Sequence, residues 1–337
     1  MDAAFTTRPP EVSVLLSCHN DSRWLSEAID SVLGQTFEDF EFILVDDGSS
    51  DESLEIMKRY EEVDRRVVIV AKQHTGLTDS LITGINIARG RWIARLDGDD
   101  VCEPNRLADQ LAFSKTNDVV LIGSGFTEIN ASGERIKTHR YPSDHRRLAR
   151  RLMRSRGSFP HSSAFFDRKV ALRAGSYNRR FLKSQDRDLW LRLAERGNIA
   201  CVQKPLLRVR KHSRNISNST AGHPQFLYGT AAASCAALRQ AGVQDPSIVG
   251  DEPAWDAFLD WMSDHRRTEQ AAQRRASWGE SRSRYFAHDR RMRGLLAFVT
   301  ALLRSGSAVR LVREKFYGSS LPEQLAKEWI QRSCAAS

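Results

Sequence analysis

The sequence contains no long hydrophobic run and few cysteines. No stretch approaches the roughly 18 consecutive apolar residues of a membrane-spanning helix, and the segment from Met1 to Pro10 lacks the basic start and apolar centre of a signal peptide. The five cysteines are scattered and form no Cys-x-x-Cys pair, which argues against a zinc site or a disulfide scaffold. We therefore expect a cytoplasmic protein with reduced thiols.

Signatures of nucleic-acid binding are also missing, although the net charge is +9. Arginines cluster in residues 140–156 and 266–293. In the first cluster five of them recur at helical spacing: Arg146, Arg147, Arg150, Arg151 and Arg154. No helix-turn-helix, zinc-finger or RNA-binding motif accompanies them, so we expect no nucleic-acid partner. The run is either a solvated helix face or an electropositive rim that meets a nucleotide diphosphate or an anionic membrane.

What the sequence does contain is enough apolar residues, 41% of 337, to bury a full core. The N-terminal part alternates apolar strands, polar loops and helical patterns. Strand 12–16 runs into the polar cluster 17–20, and a helix follows that Asp21 or Ser22 can cap and that has Trp24 on its apolar face. Strand 42–45 runs into a cluster rich in acids, 46–51. This alternation predicts an α/β fold whose strand ends face one crevice.

The motif Asp97-Gly98-Asp99 follows the apolar strand of residues 92–96. Residues two apart on an extended chain point to the same side, so both carboxylates can converge on one ion. Gly98 lets a ligand approach the backbone. Carboxylate oxygens suit Mg2+ or Mn2+. Asp-Gly pairs also form ordinary turns, so the motif alone leaves both interpretations open.

An ordered series of motifs resembles the family 2 glycosyltransferases, the inverting family with the GT-A fold. The series runs from residue 10 to 217 and includes segments 12–20, 35–41, 45–51, 76–90, 97–100, 104–110, 185–193 and 209–212. The chain departs from the family pattern at four positions, which are Ser17, His19, Ile82 and Gln185. The departure at Ile82 leaves the donor sugar open.

The resemblance implies a mixed sheet flanked by helices, a Rossmann-like nucleotide-diphospho-sugar transferase fold. It assigns residues 10–217 to the catalytic domain. Residues 222–337 are helical in pattern and form a C-terminal extension of unknown role, joined by a polar linker, 213–225. Within the extension, the apolar run 295–304 is either a helix packed on the protein or a segment lying at a membrane interface.

For the metal site, the resemblance implies that Asp99 binds Mn2+ or Mg2+ directly. Asp97 binds the ribose or a metal-bound water, and His212 adds a contact to the metal or the diphosphate. An exposed loop histidine is the alternative for His212.

For the nucleoside site, Asp46 and Asp47 match the family positions that contact the base or the ribose. Either could instead be an acidic helix cap. Backbone groups around Ser17 complete the base pocket. Asn20 is expected to bind the nucleotide as well, and His19 stands where the family has tyrosine.

The general base implied by the resemblance is Asp186, which would take the proton of the acceptor hydroxyl. Asp188 more naturally serves the start of the helix, and a first-turn acid is also the alternative for Asp186. His161 either lines a sugar pocket or is a buried structural histidine.

The leading hypothesis is therefore a metal-dependent inverting transferase that moves a sugar from a UDP-sugar to a saccharide or lipid-linked acceptor in cell-surface glycan assembly. A nucleotidyltransferase is one alternative, but the loop 17–22 lacks the glycines and basic residue that bind a triphosphate. A catalytically silent nucleotide-sugar-binding or scaffold protein is the other. It would be expected to lose Asp97, Asp99 or Asp186, and all three are present.

Overall fold

A computed structural model of the chain describes residues 8–154, 158–212, 215, 222–249, 252–264 and 321–335. The chain divides into two compact units, Met1–Ala232 and Ala233–Ser337. This division falls inside a helix, about ten residues after residue 222, the predicted start of the C-terminal extension.

The first unit contains one sheet and most of the described helices. Its strands are β1 (Val12–Cys18), β2 (Phe40–Asp47), β3 (Val67–Lys72), β4 (Trp92–Asp97), β5 (Val101–Cys102), β6 (Leu121–Ile129), β7 (Arg135–His139), β8 (Phe165–Asp167) and β9 (Ile199–Arg210). Its helices are α1 (Ser22–Leu33), α2 (Ser53–Val63), α3 (Leu77–Ile87), α4 (Arg106–Thr116), α5 (His145–Met153), α6 (Arg168–Arg173) and α7 (Gln185–Ala194), with a 3-10 turn at His161–Ser163. Helix α8 (Gly222–Gln240) spans the division.

Four parallel strands in the order β3-β2-β1-β4 form the first half of the sheet. Nearly every residue of β1, β2 and β4 is buried, as expected for strands covered by helices on both faces. The register pairs Ser17 with Asp97 and Cys18 with Asp46. The polar ends of the three strands therefore meet at one edge, which confirms the predicted alternation of strand, loop and helix.

The second half of the sheet is mixed. Strand β8 is antiparallel to both β4 and β6, β9 runs parallel to β6, and β7 forms a hairpin with β6. Strand β5 pairs with β9 and aligns Val101 with Arg208. This pairing returns the end of β9 to the edge where β4 ends.

Helix α1 buries a face at the spacing expected for an amphipathic helix: Leu25, Ala28, Ile29 and Val32. Trp24 is only half-buried, because it lies beside this face and stacks on His212. The side chain of Asp21 forms no cap hydrogen bond. Asp51 serves instead, since its carboxylate accepts the amide of Ser22 at 3.1 Å and that of Ser53 at 3.0 Å.

Helix α5 contains the arginines of the first basic cluster. Leu148 and Leu152 are buried beneath it, and Arg146, Arg147 and Arg150 are exposed. Helix α3 packs closely on β1 at Gly84, where a Cβ atom would lie 2.1 Å from a methyl carbon of Leu15. A larger residue there would separate the helix from the sheet.

The described residues of the second unit form the end of α8 and two further helices, α9 (252–264) and α10 (Leu321–Ala335). Aromatic rings join α9 to α10, with Phe258 5.0 Å and Trp261 5.2 Å from Trp329 between ring centroids. The second arginine cluster and the apolar run 295–304 lie outside the described residues. Among the described helices, none is long and apolar enough to cross a membrane.

Candidate active site

The acidic side chains at the end of β4 come together. Asp97, Asp99 and Asp100 each offer a carboxylate oxygen, and these oxygens lie within 4.8 Å of one another. Asp100 is an addition to the two acids expected from the sequence. The chain turns after β4, with the amide of Asp100 donating to the carbonyl of Asp97 at 3.3 Å, and the turn brings the third carboxylate to the same side.

These carboxylates repel one another. Burial raises the pKa of Asp99 and of Asp100, and the neighbouring acids raise both further. Asp21, in the loop after β1, is also repelled by these acids, because burial and the charges of Asp99 and Asp97 raise its pKa to about 7. The end of β4 thus concentrates negative charge that its surroundings only partly neutralise.

Asp97 is held differently from the other acids. Arg95 forms an ion pair with its Oδ1, and the hydroxyl of Ser162 donates to its Oδ2 at 2.5 Å. Burial would raise the pKa of Asp97, but Arg95 and Ser162 outweigh burial and lower it. Its side chain is 39% exposed, so a fixed, ionised carboxylate remains within reach of a ligand.

His212 lies directly beside Asp99, with Nε2 2.8 Å from Oδ2 of the carboxylate. Asn215 supports this pair: its Oδ1 accepts the amide of His212 at 2.6 Å, and its Nδ2 donates to Asp99 at 3.1 Å. The indole of Trp24 stacks on the imidazole, with ring centroids 4.3 Å apart. The imidazole of His212 is therefore half-enclosed at the acidic edge and does not match the alternative of an exposed loop histidine.

Arg210, the last residue of β9, ties the ends of β9 and β4 together. Its Nε donates to the carbonyl of Asp99 at 3.1 Å, and its backbone amide donates to Oδ1 of Asp100 at 3.0 Å. Its Nη2 pairs with Glu27 of α1 at 2.5 Å. Because His212 follows two residues later, these bonds set where the histidine reaches the acids.

The donor set at the end of β4 fits a hard divalent cation. Asp97, Asp99, Asp100 and His212 supply carboxylate oxygens and one imidazole, which Mg2+ and Mn2+ accept as ligands. A cation among the carboxylates would remove the repulsion that raises the pKa of Asp99 and Asp100. These four residues are those that could hold a metal.

The end of β2 also has two acids, but they make different contacts. The carboxylate of Asp47 accepts from Nζ of Lys72 at 2.5 Å and from the amides of Thr75 and Gly76 at 3.0 and 2.8 Å. Burial would raise the pKa of Asp47, yet Lys72 and the amides lower it to about 2. Asp47 therefore fastens the loop between β3 and α3. Asp46 is buried and accepts only from the amide of Ser49 among its described bonds, at 3.2 Å.

Asn20 and His19 shape the opening next to this strand end. Asn20 accepts the amide of Ser50 at 2.8 Å and so fixes the loop after β2. The rings of His19 and His74 stack with centroids 4.1 Å apart, and Nδ1 of each donates to the carbonyl of Asp47, at 2.9 and 3.0 Å. The two stacked imidazoles occupy the region where the family resemblance places a tyrosine. Ser17 is buried at the end of β1.

Asp186 lies in the first turn of α7, as predicted, and its Oδ1 accepts the amide of Arg187 at 2.8 Å. Burial raises its pKa, although the amide and the charge of Arg187 oppose this. The charge of Arg95 lowers this pKa as well, and that of Asp97 raises it. Asp188, predicted to serve the helix start, is instead buried in an ion pair with Arg192.

His161 is enclosed by aromatic groups. Its Nε2 is 2.6 Å from the hydroxyl of Tyr177, and its ring meets Trp190 edge-on with centroids 5.8 Å apart. Burial and Arg95 lower its pKa well below the usual value. The ring is therefore neutral, and its contacts favour the structural alternative.

Several residues shape the site although the sequence predicts no site role for them: Arg95, His74 and Ser162, together with Asp21 and Trp24, which are expected only to build α1. Arg95 alone left a signal, because a charged residue inside an apolar strand is rarely fully buried without a specific role. The others come from separate parts of the chain and meet only in the folded protein.

Comparison with known proteins adds a family and a fold. Residues 13–174 match the model described as Glycosyl transferase family 2. The O-antigen biosynthesis glycosyltransferase WbnJ of Escherichia coli is 34% identical over 212 residues, which cover 62% of this chain and 82% of WbnJ.

Two solved structures share the fold at low identity. TarS of S. aureus, in complex with UDP-GlcNAc, has a TM-score of 0.56 and 16% identity over 68% of this chain and 66% of that chain. The mannosyltransferase PcManGT of Pyrobaculum calidifontis, in complex with GDP-Man and Mn2+, has a TM-score of 0.54 and 16% identity over 93% of this chain and 89% of that chain. The predicted GT-A architecture, a mixed sheet flanked by helices, is confirmed.

Proposed function

Because the chain belongs to glycosyl transferase family 2 and is a glycosyltransferase, we propose that it moves a sugar from a UDP-sugar to a saccharide or lipid-linked acceptor with inversion. The observation that carries the proposal is the cluster of Asp97, Asp99 and Asp100 facing His212. A diphosphate is itself anionic, so it can approach this edge only with a cation between the two sets of charges.

We assign the metal, Mn2+ or Mg2+, to Asp99 and His212, with Asp100 beside them. When bound, it supplies Lewis-acid stabilisation of the leaving diphosphate. Asp97 orients the donor through its ribose or a coordinated water, since Arg95 and Ser162 already fix both of its oxygens. The mannosyltransferase PcManGT, whose structure contains Mn2+, supports the choice of metal by analogy of fold.

The nucleoside pocket in this proposal lies between the ends of β1 and β2. Asp46 is the better placed of the two acids to read the base or the ribose, because Asp47 already accepts bonds from Lys72 and two amides. Asp47 contributes by holding the loop with His74. His19 stacks on the base, and Ser17 and Asn20 complete the rim. TarS contains UDP-GlcNAc and PcManGT contains GDP-Man, so the choice of a UDP-sugar rests on the family resemblance, and the titration below decides between the two.

Asp186 is the proposed general base. Its raised pKa increases its ability to take a proton near neutral pH. It removes the proton from the acceptor hydroxyl while that oxygen attacks the anomeric carbon on the face opposite the diphosphate. A single carboxylate suffices for this inverting reaction.

Two observations support a saccharide or lipid-linked acceptor, one from a relative and one from the surface of the protein. WbnJ is named for O-antigen biosynthesis, which favours a role in cell-surface polysaccharide assembly. The proposal places the chain in the cytoplasm, where the four cysteines whose side chains are described, all buried and outside disulfides, would stay reduced. The exposed arginines of α5 are the face that would meet an anionic membrane.

Calorimetric titration of the full chain with UDP, GDP and TDP, first with Mn2+ and then with EDTA, tests the proposal. We expect UDP to bind in the presence of Mn2+ and to bind far more weakly in EDTA. A preference for GDP or TDP would show that the donor is a GDP-sugar or a TDP-sugar and not a UDP-sugar. The absence of nucleotide binding under every condition would contradict the proposal.

A further inference from the structure

Arg95 is a fully buried arginine in the middle of an apolar strand. Its exposure is 0%, and its neighbours in β4, Ile93, Ala94 and Leu96, are buried apolar residues. Taking a guanidinium out of water is unfavourable unless all of its donors are paired. An arginine at this position therefore requires an explanation beyond packing.

The guanidinium is paired on one side only. Its Nη1 forms the ion pair with Asp97 and lies 3.3 Å from the hydroxyl of Ser162. Its Nε and Nη2 are buried and meet no hydrogen-bond partner among the residues that the structure describes. Even a buried ion pair is often no more stable than a pair of apolar side chains of similar volume, and here two nitrogens of the guanidinium have no partner. Folding alone does not account for Arg95.

Arg106 provides the contrast within the same core, because it is also fully buried. Its Nε bonds Gln110 at 3.1 Å, its Nη1 is 3.1 Å from the thiol sulfur of Cys102, and its Nη2 bonds the carbonyl of Arg95 at 2.7 Å. All three of its nitrogens have partners, and none of the partners is a site carboxylate. Arg106 is a structural arginine, whereas Arg95 directs its one ion pair at the site.

Arg95 also acts electrostatically on both halves of the proposed reaction. Residues two apart in a strand point to one side, so its guanidinium is next to Asp97 on the donor side. Its charge acts as well on Asp186 and on Tyr177, the partner of His161. The acids of the donor side and the candidate base thus share one buried cation.

We propose that Arg95 is a positioning residue for the nucleotide donor, which clamps Asp97 from beneath and fixes the direction in which its carboxylate meets the metal-bound donor. Ser162 is the second arm of this clamp, because its hydroxyl bonds Oδ2 while Arg95 holds Oδ1. With both oxygens held, Asp97 has one orientation, and donor binding loses less side-chain freedom. The inference rests on the proposed function and names a residue that acts through Asp97.

The test compares Arg95→Met with Arg95→Lys and with the matched control Arg106→Met, all in the full chain. The measurements are UDP binding with Mn2+, UDP binding in EDTA, and the thermal unfolding midpoint in EDTA. For Arg95→Met we expect UDP binding with Mn2+ to weaken about tenfold or more. Binding in EDTA should be unchanged, whereas the unfolding midpoint should fall, because Asp97 keeps its charge and loses its buried partner. Arg95→Lys should restore part of the metal-dependent binding.

The control should separate a loss of stability from a loss of metal-dependent binding. Arg106→Met should lower the unfolding midpoint and leave the ratio of UDP binding with and without Mn2+ as in the unchanged protein. If Arg95→Met binds UDP with Mn2+ as the unchanged protein does, Arg95 has no positioning role. The same conclusion follows if both of its binding constants drop together. If the unchanged protein binds no nucleotide with Mn2+, both the proposed function and this inference fail.

Should Arg95→Met fail to fold, Ser162→Ala tests the second arm with a smaller change. It should weaken metal-dependent UDP binding less than Arg95→Met is expected to, at a normal unfolding midpoint. An unchanged binding constant in Ser162→Ala would then overturn the clamp.

Discussion

The ends of β2 and β4 look alike in sequence and differ in the folded protein. Strand β2 finishes in the adjacent acids Asp46-Asp47, and the turn after β4 contains the adjacent acids Asp99-Asp100. At the end of β2 the protein neutralises Asp47 with Lys72 and two amides, and its pKa falls to about 2. At the end of β4 the acids crowd together, and burial and repulsion raise the pKa of Asp99 and Asp100.

The difference separates Asp47, whose bonds are made within the protein, from Asp99 and Asp100, which a bound cation would stabilise. A carboxylate whose bonds are all made within the protein stabilises a loop. Carboxylates that repel one another at an open strand end gain from a cation. The direction of the pKa shift separates Asp47 from Asp99 and Asp100, which the sequence motif does not.

The largest effect on transfer is expected from Asp186→Asn, which lies at neither strand end. Loss of the base should lower kcat about 10³-fold, while metal-dependent UDP binding stays nearly unchanged, because no donor contact is removed. Asp188→Asn is a poor control, since it breaks a buried ion pair with Arg192; Glu195→Gln, at the other end of α7, is a better one. Normal transfer by Asp186→Asn would show that the base is another group.

At the end of β4, Asp99→Ala should lower transfer about 10²-fold or more and remove the Mn2+ dependence of UDP binding. The variant should fold at least as well as the unchanged protein, because one of the repelling charges is gone. Rates of sugar transfer and urea unfolding curves measure the two effects. Mn2+-dependent binding of normal strength in this variant would refute the assignment of Asp99.

At the end of β2, Asp47→Asn should act mainly on stability. It breaks a buried ion pair with Lys72 and weakens two amide contacts, so we expect the free energy of unfolding to fall by about 3 kcal/mol. Urea unfolding with Lys72→Met as a partner variant checks the loss. Asp47→Asn in the Lys72→Met background should cost much less than in the unchanged protein, and full additivity would contradict the pairing.

The two strand ends should also differ in how stability depends on pH in EDTA. A carboxyl whose pKa is raised on folding binds its proton more tightly in the native state, so stability falls as pH rises from about 4 through the native pKa. Asp21, with a native pKa of about 7, and the acids of β4 should therefore lower stability by roughly 3 kcal/mol between pH 5 and 8. Asp47, with its lowered pKa, should lose its contribution only as pH falls from about 4 toward 2.

Chemical denaturation across this pH range, repeated with Asp99→Asn, separates the contributions. The variant should have a shallower slope between pH 5 and 8 and an unchanged loss in acid. An identical slope would mean that the acids of β4 do not repel one another.

The sequence predicted the parallel strands and the edge on which their acids lie, because apolar runs that end in polar loops constrain where each strand stops. It also predicted Asp186 in the first turn of a helix from local pattern, and His212 near Asp97 and Asp99 from the order of motifs. The strands and the position of Asp186 are predicted from local pattern, and the position of His212 is predicted from the family resemblance.

The roles of Asp47 and Asp97 could not be predicted in the same way. Asp47 meets Lys72 because the register of β2 on β3 aligns them, and a register is a property of the folded sheet. Asp97 is fixed by Ser162, which arrives from the 3-10 turn 65 residues later. Trp24 is assigned by its spacing to a core face, and only the return of β9 gives it His212 as a partner.

The most direct test of the contrast between the two ends is electron paramagnetic resonance of Mn2+ with UDP and the full chain, in the unchanged protein, Asp99→Ala and Asp47→Asn. We predict bound Mn2+ in the unchanged protein and in folded Asp47→Asn, and free Mn2+ alone with Asp99→Ala. Loss of bound Mn2+ in Asp47→Asn, with binding retained in Asp99→Ala, would place the cation at the end of β2 and contradict the account.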